Sequence, residues 1–425
     1  AVSWSKSTRM RPELWLLLFV GAAAFADEPP WELGGHTKLR IIGTTFPDAS
    51  LFRQLSGRNS LDLEGDLRLN FKAKPGRWTF NADYQLIGLY GDRVEYTRDL
   101  PAAIELLSPR LPDDRRRLFD FTKVMHDRDK AALLHRLDRF WLGYASEKIV
   151  IRAGRQAISW GNGLFYAPMD LVNPFDPAAV DTEYKAGDDM LYLQYLQDSG
   201  NDLQVAAVAR RDPLDGEVSR EQATVAAKYH GLVGGSEYDL LIAQHYDDVV
   251  LGLGGTYSPG GAVLRGDLVV TDTDTDTYIQ VVANWTYSWT WQGRNMSGAL
   301  EYYFNGFGQH DGRYDPESLA GNPDLLARLA RGETFTLGRH YLAGSVLIEM
   351  TPLWTLTPTL LANISDPSAL LQIVTSRSLS DNVTFLGSLN LPVGPKGSEF
   401  GGIESGGDLY LSTGPGIFAQ LAWYF

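Results

Sequence analysis

The sequence predicts an all-β fold, an antiparallel transmembrane β-barrel of about 18 strands. Three observations carry this. Most of the chain divides into short segments in which apolar and polar residues alternate. Beyond the N-terminal residues, no apolar run is long enough for a spanning helix. Every second connection between segments is tight, and the others are more often long.

The N-terminus reads as a targeting segment. Arg9 and Arg11 precede the apolar run Leu14 to Phe25, and Ala24-Phe25-Ala26 has a small-x-small cleavage pattern. Residues 1–26 are expected to be an N-terminal extension and signal peptide, with Met10 a plausible start and Asp27 the first mature residue. Residues 27–425 then form one barrel domain. The run is too short for a membrane anchor, which needs roughly 20 apolar residues. The 425 residues contain no Cys, which excludes disulfides and thiolate metal sites within them, and no cofactor is expected. A net charge of −14 disfavours nucleic acid. Mean hydropathy is only −0.18, as a barrel permits, since alternate residues face lipid.

The expected strands are 37–46, 61–73, 77–90, 137–146, 149–157, 190–197, 202–210, 221–231, 237–246, 249–257, 262–271, 277–290, 295–305, 339–350, 354–363, 369–378, 382–391 and 415–425. In the second, Leu61, Leu63, Leu67, Leu69 and Phe71 alternate with Asp62, Glu64, Asp66, Arg68, Asn70 and Lys72. One face suits lipid and the other a wet lumen. In 277–290 and just beyond, Trp285, Tyr287, Trp289 and Trp291 gather at the strand end, as an interfacial girdle requires. Lys74-Pro75-Gly76, Gly234-Gly235-Ser236 and Ser258-Pro259-Gly260 are tight turns. The long connections are 47–60, 91–136, 158–189, 211–220, 306–338 and 392–414.

In the last segment Ile417, Ala419, Leu421, Trp423 and Phe425 share one face, leaving Gln420 and Tyr424 on the other. A strand ending on an aromatic residue resembles the closing strand of Gram-negative outer-membrane barrels. Their terminal Phe is part of the signal read by the barrel-assembly machinery. The resemblance implies the outer membrane of a Gram-negative bacterium, with short periplasmic turns and long extracellular loops. It also implies contact with outer-membrane lipid and lipopolysaccharide, and with the assembly machinery through Phe425.

The loop 158–189 is the most distinctive stretch. It is rich in apolar and aromatic residues that are poorly placed in bulk water, so it is expected to fold inward and narrow the pore. Asp170, Asp176, Asp181, Glu183, Asp188 and Asp189 against the single Lys185 are expected to make that constriction negative. The run Gly154-Arg155-Gln156, then Ser159-Trp160-Gly161, then Asn173-Pro174-Phe175-Asp176 resembles alginate-export-type porins and related uncharacterised outer-membrane porin families. That resemblance spans about 25 residues and implies a channel. It departs from an Arg-rich polymer-export lumen, because the lumen faces here mix signs.

The constriction candidates are Arg152, Arg155, Trp160, Asp170, Asp176, Asp181 and Glu183. The lumen charges are Lys38, Arg40, Asp62, Glu64, Asp66, Arg68, Arg265, Asp267 and Glu301, with Lys72, Asp83, Lys228, Asp239 and Glu349 beside them. Facing rows of opposite charge set a transverse field across a narrow pore. The same charges also suit pairing across strands.

Other features are weaker. Loop 91–136 holds Arg115-Arg116-Arg117 and a helix-like stretch from Leu118 to Leu137, suited to a lid, a solvated surface or lipopolysaccharide phosphates. Asp272, Asp274 and Asp276 alternate with Thr and could present oxygen ligands, but lack an EF-hand's Gly and distal Glu, so no metal site is expected. His126-Asp127 and His310-Asp311 are neighbours of a kind chance supplies. No Gly-x-Ser-x-Gly or His-Glu-x-x-His motif occurs, and the chain is not expected to be an enzyme. The expected function is an outer-membrane channel for passive or selective passage of small hydrophilic or charged solutes, or export of a polymer such as a polysaccharide. A partner-binding barrel of an export or electron-transfer complex is the alternative, ahead of an outer-membrane hydrolase.

Overall fold

The computed structural model describes residues 30–100 and 111–425. The expected signal peptide and the mature start at Asp27 lie outside the described residues. The strands in chain order are β1 (Trp31–Thr45), β2 (Asn59–Ala73), β3 (Trp78–Gly91), β4 (Thr122–Arg128), β5 (Ala131–Ala145), β6 (Ile149–Gln156), β7 (Asp188–Leu196), β8 (Asp202–Arg211), β9 (Val218–Val233), β10 (Ser236–His245) and β11 (Asp248–Tyr257). They continue with β12 (Ala262–Asp272), β13 (Thr277–Trp291), β14 (Arg294–Asn305), β15 (His340–Thr351), β16 (Trp354–Asn363), β17 (Ser368–Ser380), β18 (Val383–Val393), β19 (Ile403–Gly406), β20 (Leu409–Leu411) and β21 (Gly416–Tyr424).

Eighteen of these close into one antiparallel barrel, with β4 outside the ring order and β19–β20 a separate small hairpin. Each of the 18 segments expected from the alternation is a barrel strand. The ring closes where β21 pairs with β1, from His36 opposite Tyr424 to Thr44 opposite Gly416. Closure leaves no open edge in the 18-strand ring, as a wall in lipid requires.

The period-two pattern sorts the two faces. Leu39, Ile41, Leu61, Leu63, Leu251 and Leu253 are exposed on the outside. Their alternates Lys38, Asp62, Asp66 and Arg68 are buried inside. Trp285, Tyr287 and Trp289 stack in a file along β13 toward its tight-turn end, with successive centroids 6.0 and 6.4 Å apart. Such a file suits the interfacial girdle.

Residues 118–137 are not a helix. From Thr122 onward they form the β4–β5 hairpin, turning at Asp129 with a φ of 50°. The apolar spacing there matches a helical face, but the cross-strand partners supply the backbone hydrogen bonds. The hairpin fills the wall above β6, which ends at Gln156, while β5 continues upward to Ala131. Gly154, at φ 119°, kinks β6 below the point where the chain leaves the wall, and a Cβ there would sit 2.2 Å from the Phe140 carbonyl oxygen. The segment 113–121 closes the resulting joint. Arg155 donates to Asp114 (2.9 Å), to Asp189 (3.0 and 2.9 Å) and to the Phe119 carbonyl (2.5 Å). Arg117 reaches the Gly187 carbonyl at 2.9 Å.

Candidate functional site, a loop folded across the lumen

Between β6 and β7 the chain leaves the wall and crosses the barrel interior. Its apolar residues explain the direction. Ile158, Trp160, Met169, Leu171 and Val172 are buried against Tyr192, Ala206, Val208, Leu241 and Ala243 of the inner wall. An inward fold removes this surface from water, and an outward loop would leave it wet. Trp160 Nε1 donates to Gln204 Oε1 at 2.8 Å, so the indole's one polar atom is satisfied.

Buried wall acids then hold the loop's backbone. Asn162 donates its N–H to Asp267 (2.7 Å), and its Nδ2 to Asp267 (2.7 Å) and Asp239 (3.3 Å). Asn284 donates to the Asn162 carbonyl at 2.9 Å. Glu301, fully buried on β14, accepts the consecutive backbone N–H groups of Leu164 (2.6 Å), Phe165 (3.0 Å) and Tyr166 (2.8 Å). The Tyr166 ring stacks on Tyr303 with centroids 4.7 Å apart. Further on, Gln372 of β17 donates to the Ala178 carbonyl at 3.0 Å.

The returning limb reaches β1. Lys38 Nζ lies 2.6 Å from Asp181 and 2.7 Å from Glu183, and Arg40 lies 3.0 Å from Asp181. Tyr424 OH of β21 donates to Glu183 at 2.8 Å. Arg68 sits 4.0 Å above the Tyr184 ring. At the base, Lys185 ties the two limbs, donating to Asp170 and to the Ile158 carbonyl, both at 2.5 Å. Burial pushes the Asp170 carboxyl up to about 6, against the pull of Lys185.

The candidates therefore have different surroundings. Asp181 and Glu183 meet Lys38 and Arg40, with Glu183 the more exposed of the two acids. Arg40 also pairs with Glu64. Trp160 and Asp170 are buried and hold the loop together. Arg155 is buried in the wall joint and does not face the passage. Arg152 lies over Tyr192 at 4.5 Å. Asp176 is exposed and accepts the Ala178 N–H at 2.8 Å. Asp62 accepts the Arg93 N–H at 2.7 Å, and Asp66 accepts from Gln85 at 3.0 Å. Among the described residues Arg265 reaches only the Thr286 hydroxyl, at 3.5 Å. Asp272, Asp274 and Asp276 are not gathered; no group of three His, Cys, Asp or Glu side chains suited to a metal occurs among the described residues.

The expected negative constriction is corrected by this pairing. Asp170 meets Lys185, Asp181 and Glu183 meet Lys38, Asp188 meets Arg210, and Asp189 meets Arg155. Asp176 alone among the loop's acids has no cation partner in the described residues. The loop's own Lys185, the neighbouring strands' Arg155 and Arg210, and Lys38 of β1 offset the loop's charge, and of these only Lys38 meets it from a strand far away in the ring.

Sequence reasoning missed Asn162, Asp114 and Glu399, and it put Tyr424 on the inner face without its partner Glu183. Asn162 sits in Trp160-Gly161-Asn162-Gly163, a turn signal with one polar side chain among apolar neighbours. Glu399 had no local signal. It lies in the connection after β18, accepting from Tyr341 OH and Asn363 Nδ2, both at 2.6 Å, and from the Leu337 N–H at 3.1 Å. Burial pushes it up to about 7.

No family model matches the chain, and no curated protein matches it. Solved structures do. Acinetobacter baumannii OccAB4 aligns at TM-score 0.53 and 9% identity, covering 93% of this chain and 98% of that one. The fold is that of an outer-membrane porin. A BenF-like porin from Pseudomonas fluorescens Pf-5 aligns at TM-score 0.50 and 9% identity, over 93% and 98% of the two chains. Pseudomonas aeruginosa OccD3 (OpdP) aligns at 0.50 and 9%, over 93% and 91%. None of these three is an alginate exporter, so that resemblance rests on the 154–176 motif alone.

Proposed function

We propose that this barrel is an outer-membrane channel for small hydrophilic solutes, with residues 158–187 as its constriction. The carrying observation is the pinning of that loop across the lumen, with Glu301 holding three successive backbone N–H groups on one wall and Lys38 holding Asp181 and Glu183 on another. An aqueous wall that faces polar residues inward, narrowed by a fixed loop, suits diffusion with a size limit. Because cations and carboxylates face each other within 3.0 Å at the returning limb, the local field runs across the passage. It orients dipolar and zwitterionic solutes more than it selects for one sign of ion. The reading is transport and not catalysis.

Purified protein in planar bilayers tests this. The expected result is ohmic single-channel conductance with weak ion selectivity, and a several-fold larger conductance when residues 162–185 are replaced by a short Gly-Ser linker. A barrel without conductance defeats the channel reading. A deletion that conducts like the parent defeats the constriction.

A further inference from the structure

The β4–β5 hairpin continues the barrel wall outward, and its outer face is cationic. Residues directly opposite in the register share a face. Lys123 is opposite His135, His126 opposite Leu133, and Arg128 opposite Ala131. Leu133 is exposed, whereas its neighbours Ala132 and Leu134 on the other face are buried. Lys123, His126, Arg128 and His135 therefore project from the outside of the barrel. Lys123, His126 and Arg128 are exposed and His135 is partly so. None of the four makes an ion pair among the described residues. Asp127, the acid of the same strand, lies opposite the buried Ala132 and is 3.6 Å from Arg98. It therefore belongs to the other face.

Their height on the wall is informative. A strand rises about 3.3 Å per residue. At a tilt of 35–45° that is about 2.5 Å of height. The apolar band is about 25 Å tall, so it spans about ten residues of β5 counted from its tight-turn end at Ala145. The band ends near His135. Lys123 lies level with that boundary, and His126 and Arg128 lie above it, in the headgroup layer. Two cations and two imidazoles at the edge of an apolar wall complement phosphate groups carried on a lipid.

The neighbouring arginines of segment 113–121 are engaged elsewhere. Arg115 pairs with Asp113 at 3.0 Å, and Arg117 holds Asp114 at 2.5 Å. Arg116 faces Gln222 at 3.5 Å. Within the Arg115-Arg116-Arg117 run, Arg115 and Arg117 are thus held by neighbouring acids.

We infer that the outer face of the β4–β5 hairpin binds the phosphorylated sugar headgroup of lipid A in the outer leaflet, through Lys123 and Arg128 with His126 and His135 beside them. This rests on the outer-membrane reading above. Charge-assisted hydrogen bonds to phosphate favour Arg and Lys at a membrane surface.

The test uses the full-length barrel, freed of lipopolysaccharide in detergent, with binding of bisphosphorylated lipid A followed by native mass spectrometry. Lys123→Gln with Arg128→Gln is expected to weaken binding about thirtyfold. Arg115→Gln is expected to leave it unchanged. Dephosphorylated lipid A is expected to bind parent and double variant equally weakly. Inorganic phosphate at millimolar concentration is expected not to compete. The assignment is overturned if the double variant binds like the parent, if removing the phosphates changes nothing, or if free phosphate displaces the lipid. Heat-modifiable migration checks that the variant is folded. Single-channel conductance of the same preparation tests the channel reading separately, since the hairpin's outer face does not touch the lumen.

Discussion

Glu301→Gln is the sharpest perturbation of the constriction. In the parent, one carboxylate oxygen accepts from Phe165 and Tyr166 and the other from Leu164 and Asn284. The amide keeps one acceptor and turns an NH2 group toward the remaining two donors. Hydrogen bonds to a charged group contribute about 1.5–3 kcal/mol each. Losing two of them inside a dry site costs about 3–6 kcal/mol, with the barrel fold itself untouched. Asp267, Gln372 and Lys38 still hold other parts of the loop, so the effect falls on residues 162–166. At 1.4 kcal/mol per factor of ten, the lower figure raises the released population about a hundredfold. Planar bilayers should record frequent steps to a larger conductance. Hydrogen exchange should show lost protection at Leu164, Phe165 and Tyr166. Glu349→Gln, far from the loop and bonded to Asn295 at 2.8 Å, is the control and should match the parent. If Glu301→Gln leaves both conductance and exchange unchanged, the carboxylate is not what holds the loop.

Two further outcomes follow from buried charge. Arg155→Met leaves Asp189 without its cation and Asp114 with Arg117 alone in the wall joint, which should cost about 3–5 kcal/mol and lower the thermal unfolding temperature measured by circular dichroism. Burial alone would raise Asp114, but Arg117 and Arg155 outweigh it and hold its carboxyl at about 2. The stabilisation from that acid is complete above its unfolded value near 4 and is lost only as pH falls through about 2, so the joint should survive mild acid. Glu399 has the opposite sign. Burial and the nearby Asp366 raise it to about 7, against hydrogen bonds from Tyr341, Leu337 and Asn363. Its contribution is full below about 4.3 and is lost as pH rises through about 7, by roughly 4 kcal/mol at most. Unfolding temperature should fall between pH 5 and 8 in the parent, and the slope should flatten in Glu399→Gln.

The wall was legible because its physics is local. Leu61 through Lys72 alternates with period two, and lipid on one side enforces that alternation residue by residue. The inward course of 158–189 was legible for a similar reason, since Trp160, Met169 and Val172 have no place in bulk water. The electrostatics were not legible. Lys38 and Asp181 are 143 residues apart, and only the closed ring puts them 2.6 Å apart. The same holds for Arg155 and Asp114, which turned a supposed pore charge into part of a wall joint. The 118–137 stretch misled because Leu133, Leu134 and Leu137 are spaced as on one helical face. Backbone pairing across the hairpin decided otherwise.

The loop's far end touches both strands that form the closure. Lys38 and Arg40 stand on β1, Tyr424 stands on β21, and the residues they grip, Asp181 and Glu183, come from the middle of the chain. The constriction is therefore also a brace across the seam. Its docking site is complete only after the first and last strands have met, so the passage takes its final bore as the last step of assembly. A ring that has not zipped shut lacks part of the grip on the returning limb, and any agent that loosens the seam should free Asp181 and Glu183 before it unravels the wall.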